Sequence, residues 1–123
     1  MTMRTIRSHR DLEVWQVAMS VAEQCYRLTQ SFPREEMFGL TLQIRRAAAS
    51  VPANIAEGYG RESKREYIQF LRIAQGSQKE LETYLLLAAR VGLASEEVIM
   101  SILTECERVG KMLHRLIRSL QKT

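Results

Sequence analysis

Cysteine is scarce in this chain of 123 residues: Cys25 and Cys106 stand far apart, with no C-x-x-C pair. That excludes a disulfide framework and the usual zinc-finger spacings, and the expected role for both is as small core residues in a reducing compartment. Proline occurs twice, glycine six times, and runs of β-branched residues are missing. Ala, Leu, Glu, Gln, Arg and Met dominate instead, so intrinsic propensity favours helix almost throughout and no sheet is expected. Long apolar runs are missing too. The longest uncharged stretch, Ala47 to Ala56, contains Pro52 and falls well short of the roughly 20 residues that cross a bilayer. Arg4, Arg7 and Arg10 are followed by Asp11 and Glu13, where a signal peptide would place its apolar segment. A cytoplasmic protein without a membrane partner is the expectation.

Catalytic patterns are equally thin, and no enzyme is expected. A di-iron bundle needs Glu-x-x-His on two helices, but Lys111 precedes His114 at that spacing and Ile6 precedes His9. No metal site or cofactor follows. Gly58-Tyr59-Gly60 lacks both a third glycine and a P-loop lysine, so it reads as a turn rather than a phosphate cradle. Trp15 reads as a core anchor rather than a stacking platform.

What is present is helical periodicity. With 46% apolar and 26% charged residues, the chain has the composition of one globular domain. Residues 1–10 read as a basic N-terminal arm and residues 11–123 as a single domain. Ser8 with Asp11 forms a weak capping box for a first helix. Leu12, Trp15, Met19, Ala22, Tyr26 and Thr29 give it one apolar stripe, and Val14, Val17, Val21, Cys25 and Leu28 a second beside it. So wide an apolar surface predicts two neighbours, and Phe32-Pro33 ends the helix.

A second helix is predicted from about Glu36, with Leu40, Ile44, Ala47, Val51 and Ile55 inward. Its small residues, Ala47, Ala48, Ala49, Ser50, Ala53, Ala56 and Gly58, allow close helix approach. Pro52 cannot donate to the carbonyl of Ala48 and should kink or divide this helix. Ser63 and Glu66 cap a third helix with Tyr67, Phe70, Leu71, Ala74, Leu81, Leu85 and Ala88 inward, closed by Gly92. Ser95 caps a fourth, with Val98, Ile102, Cys106, Val109, Leu113, Leu116 and Leu120 as its core positions. The alternating steps of three and four, with short connections, predict an all-α, antiparallel up-down-up-down four-helix bundle, its second helix kinked near Pro52.

The most regular charge pattern is Arg108, Lys111, Arg115, Arg118 and Lys122 on one face of the fourth helix, opposite its apolar stripe. Such a row suits phosphate tracking, and it equally suits a solvated face whose cations complement the helix C-terminus. Arg61, Lys64 and Arg65, with Arg72 and Lys79, form a second basic set that neighbouring glutamates dilute. With net charge +4, RNA or DNA is a candidate partner and a protein is another. Asn54 and Glu57, beside Pro52, are read first as structural: Asn54 would satisfy backbone groups at the kink, and Glu57 would pair with Arg45 or Arg46 of another helix or protomer. A polar site at a subunit junction, with Glu80, is the alternative.

Several segments carry a resemblance beyond periodicity: Asp11-Leu12-Glu13-Val14-Trp15, Gln43-Ile44-Arg45-Arg46-Ala47, Ser50-Val51-Pro52-Ala53-Asn54-Ile55-Ala56-Glu57-Gly58, Ala74-Gln75-Gly76-Ser77 and Glu80-Leu81-Glu82. Together they resemble the four-helix-bundle family encoded in intervening sequences of bacterial large-subunit ribosomal RNA genes. The resemblance covers about Asp11 to Leu120, with Asn54 to Gly58 its most specific part. It implies a homopentameric, ring-like assembly of four-helix protomers without catalytic residues. The accessory protein of diversity-generating retroelements is similar in fold, and through it the resemblance extends to nucleic-acid binding.

Overall fold

Ser8 accepts a hydrogen bond from the Arg10 amide at 3.2 Å while Asp11 Oδ2 accepts from the Ser8 amide at 3.2 Å. The expected capping box therefore forms, but on a 3-10 turn, His9–Asp11, that precedes the first α-helix. The computed structural model describes residues 5–123, so Arg4 of the basic arm lies outside the described residues. Four helices follow: α1 (Glu13–Thr29), α2 (Leu40–Tyr59), α3 (Lys64–Arg90) and α4 (Glu96–Gln121). No strand occurs among the described residues. Each helix packs against its neighbours in the order α1, α2, α3, α4 and back to α1, which is an antiparallel four-helix bundle.

The wide apolar surface of α1 is divided differently from the expectation. Val14, Val17, Ala18, Val21, Ala22, Cys25 and Thr29 are buried. Of the other stripe, Trp15 and Met19 are only half-buried and Tyr26 is exposed, because they point across α2 rather than into the centre. Trp15 is thus an edge residue, its ring meeting that of His9 edge-on at 5.1 Å.

α2 begins at Leu40 rather than near Glu36. Residues Arg34–Glu36 wind as a 3-10 turn, Gly39 resets the chain, and Glu36 Oε1 accepts from the Leu40 amide at 3.1 Å. In the connection after α1, Phe32 is buried while Phe38 is 83% exposed. Pro52 is buried inside α2, which runs unbroken from Leu40 to Tyr59, so the helix is not divided there. Gly58 belongs to α2 and not to the turn. A Cβ on it would lie 2.8 Å from Phe70 Cβ and 3.1 Å from the Tyr67 carbonyl, so its bare backbone is what lets α3 approach.

α3 opens with Ser63 Oγ accepting from the Glu66 amide at 3.0 Å and closes at Gly92, whose φ of +79° only glycine adopts without strain. Ser95 Oγ accepts from the Val98 amide to open α4. The α4 core stripe is Ile99, Ile102, Leu103, Cys106, Val109, Leu113 and Ile117. Val98, expected inside, is 45% exposed, and Leu116 and Leu120 are half-buried. Ile102, Cys106, Val109 and Leu113 are inward as expected, and only toward the helix ends do Ile99 and Ile117 take the places expected for Val98 and Leu116.

Candidate nucleic-acid interface

Antiparallel packing brings the start of α3 beside the end of α4, where Lys64 Nζ donates to the Thr123 carbonyl and, at 3.2 Å, to Thr123 Oγ1. The two basic sets therefore meet at one end of the bundle. On α4, Arg108, Lys111, Arg115, Arg118 and Lys122 are all exposed. Arg108 is committed elsewhere: it pairs with Glu13 of α1 at 3.0 Å and with Glu105 at 3.7 Å. Lys111, Arg115, Arg118 and Lys122 have no carboxylate within ion-pair distance among the described residues.

The second set is only partly available. Arg61 pairs with Glu57 at 2.9 Å and Glu66 at 4.0 Å, and its guanidinium lies over the Phe70 ring at 4.8 Å. Arg65 is exposed and makes no ion pair among the described residues. Lys79 pairs with Glu82 at 3.7 Å.

Of the polar residues beside Pro52, Arg46 and Glu80 share a groove with Ser50, to which Asn54 is bonded, while Arg45 and Glu57 turn elsewhere. Within the chain, Glu57 pairs with Arg61. Arg45 instead joins α1 to α2, donating from Nε to Thr29 Oγ1 at 2.8 Å with its guanidinium over the Tyr26 ring at 4.7 Å. Asn54 Nδ2 donates to the Ser50 carbonyl at 2.8 Å and to Ser50 Oγ at 3.0 Å, and Ser50 Oγ shares a 2.7 Å hydrogen bond with Ser77 Oγ of α3. It therefore serves the Ser50 carbonyl and not the Ala48 carbonyl that Pro52 frees. Arg46 and Glu80 line an open groove between α2 and α3, and Glu80 Oε2 lies 3.5 Å from the Tyr84 hydroxyl.

Both cysteines are buried and free. Burial pushes each thiol up to about 12, Cys106 with a further contribution from nearby Cys25. Such thiols stay protonated near neutrality and are poor nucleophiles.

A model of the 23S rRNA-intervening sequence proteins matches residues 10–115. The chain belongs to this family. The matched span of this 23S rRNA-intervening sequence protein includes Lys111 and Arg115 but stops short of Arg118 and Lys122. It is also similar to a solved structure from Bacteroides thetaiotaomicron VPI-5482, a protein with unknown function from the S23 ribosomal protein family. The two share 26% identity and a TM-score of 0.76, over 85% of this chain and 97% of that one. No curated protein matches the chain.

Sequence reasoning missed Gln78 of the intervening sequence protein. It is 3% exposed, on the inner stripe of α3 between Ala74 and Leu81. The signal was its register: a glutamine at a spacing otherwise held by apolar residues. It lines a groove of about 660 Å³ between α3 and α4, with Lys79, Glu82, Gly110, Lys111, His114 and Arg115 around it.

Proposed function

We propose that this intervening sequence protein is a non-catalytic, homo-oligomeric module that binds structured RNA through the C-terminal half of α4. The observation that carries the reading is the exposed row Lys111, Arg115, Arg118 and Lys122, four cations without carboxylate partners among the described residues. Lys64 and Arg65 join that row at the same end of the bundle. Unneutralised cations on a rigid helix displace counterions from a phosphate backbone, giving affinity with little sequence preference. Repetition of the row around a ring, a pentamer in this reading, multiplies weak contacts. Self-association is supported by a shallow apolar groove of about 580 Å³ on the outer side of α1 and α2, lined by Trp15, Met19, Tyr26, Pro52 and Ala53. Burial holds both thiols protonated, so neither cysteine is given a nucleophilic role in this reading.

The test is binding of labelled structured RNA and duplex DNA across a salt series, with native mass recorded alongside. Binding that falls steeply with salt, and falls further in Arg115→Glu/Arg118→Glu at unchanged native mass, supports the reading. No binding at low salt by an intact oligomer overturns it.

A second reading, an adaptor for protein partners, draws on a different surface. Leu86, Leu87, Val91, Val98 and Met100 are exposed at the opposite end of the bundle. It is favoured if charge reversal on α4 leaves every interaction of the protein unchanged.

A further inference from the structure

We propose that α3 supplies a second wall of phosphate contacts, Arg65, Arg72 and Lys79, so that the groove between α3 and α4 holds one backbone strand of a base-paired RNA along its length. The inference rests on the RNA reading above and adds where the strand lies and what form of RNA it belongs to.

Arg65, Arg72 and Lys79 stand at intervals of seven along α3. Seven residues make nearly two helical turns, with a drift of about 20° at each step, so the three share one face of the helix. Lys79 fixes which face that is. It lines the groove beside Gln75 and Glu82, opposite Lys111, His114 and Arg115 of α4. Arg72 precedes Gln75 by less than one turn, and Arg65 carries the row on toward the end where Lys64 meets Thr123. Arg65 and Arg72 are exposed and have no carboxylate within ion-pair distance among the described residues. Lys79 pairs with Glu82 at 3.7 Å, yet its side chain stays 81% exposed, and an ion pair so open to water holds a cation only weakly.

The α3 row is about 21 Å long and the α4 row, from Lys111 to Lys122, about 16 Å. Antiparallel packing lays them side by side on helices whose axes are about 8–10 Å apart. Two walls do what one row cannot. A phosphate has two non-bridging oxygens, and a strand lying between the rows turns one toward each. The raised backbone of a duplex fits such a furrow, and recognition by shape and phosphate is the usual mode for double-stranded RNA. Glu82 and Glu107 border the groove at the end away from the basic terminus, where they repel phosphate and bound the track. No aromatic ring lines the groove, so an unpaired base finds no stacking platform there. Bases are better left stacked in their own helix, and contacts made through phosphate carry no sequence preference.

The experiment measures, by fluorescence anisotropy across a salt series, binding of an RNA hairpin and of an oligouridylate with the same number of phosphates. Wild type is compared with Arg65→Gln/Arg72→Gln, native mass being checked for each protein. Arg34→Gln/Arg90→Gln removes two exposed cations at the opposite end of the bundle and controls for net charge. The expected result is that Arg65→Gln/Arg72→Gln lowers the salt slope by about two and weakens hairpin binding at least about tenfold near 0.1 M salt. The control variant matches wild type, and the hairpin binds tighter than oligouridylate. A loss no greater than the control's, with Arg115→Glu/Arg118→Glu still weakening binding, overturns the α3 wall and leaves the α4 reading standing. Oligouridylate bound as tightly as the hairpin overturns the base-paired form. No RNA binding at low salt overturns the proposal together with the reading it rests on.

Discussion

Gly58 and Gly76 both lie inside helices and answer to opposite pressures. An Ala at Gly58 gains helix propensity but drives its methyl into Phe70 Cβ and the Tyr67 carbonyl of α3, and backbone cannot step aside as a flexible side chain does. Gly58→Ala should destabilise the fold by about 1–3 kcal/mol. Gly76 has nothing within 4 Å of the added carbon, so Gly76→Ala should stabilise by about 0.5–1 kcal/mol. Urea denaturation of the two variants checks the opposed signs. The buried thiols set a pH limit. Cys25 and Cys106 ionise near 9 when unfolded and at about 12 when folded, and burial with a contribution from Tyr59 pushes Tyr67 from 10 to about 12. Above pH 9 the unfolded chain holds fewer protons than the folded one, so stability is full below that pH and falls as pH rises toward 12. A denaturation series from pH 7 to about 11 reads that slope, and Cys25→Ala/Cys106→Ala should flatten it.

At the level of elements, the number, type and order of the helices were legible because each carries a start or stop signal, Ser63, Ser95 and Gly92 among them. Ser95→Ala removes the acceptor for the Val98 amide and should cost about 1 kcal/mol, visible as a lower denaturation midpoint with unchanged slope. Less legible was which face turns inward. α1 carries apolar residues around most of its girth, so periodicity permitted either stripe, and only packing against α2 and α4 put Val14, Val17 and Val21 inside and Tyr26 outside. On α4 the same ambiguity exchanged Val98 for Ile99. The start of α2 was misplaced because Glu36 favours helix locally, while Gly39 separates a 3-10 turn from the helix proper. Arg45 looked like a junction residue and instead ties α1 to α2, since its partners, Thr29 and the Tyr26 ring, belong to a neighbour that one-dimensional spacing does not reveal.

Over the whole molecule, the basic rows were visible in sequence, but their meeting was not. It needed the antiparallel order that sets Lys64 against Thr123, and that order also uses Arg108 to hold α1, shortening the free row to its last four cations. The connection between α1 and α2 offers a last consequence. Phe38 projects into solvent beside exposed Met37, while Phe32 a few residues earlier is locked in the core. Chymotrypsin should therefore clip the native chain first at Phe38, and a denaturing gel would show the fragment pair while native mass stays unchanged. The cut severs α1 from its sequence partners without uncovering Val14, Val17 or Cys25, so the two pieces remain one particle. Expressed separately, residues 1–38 and 39–123 become a split protein whose reassembly reports on the core alone.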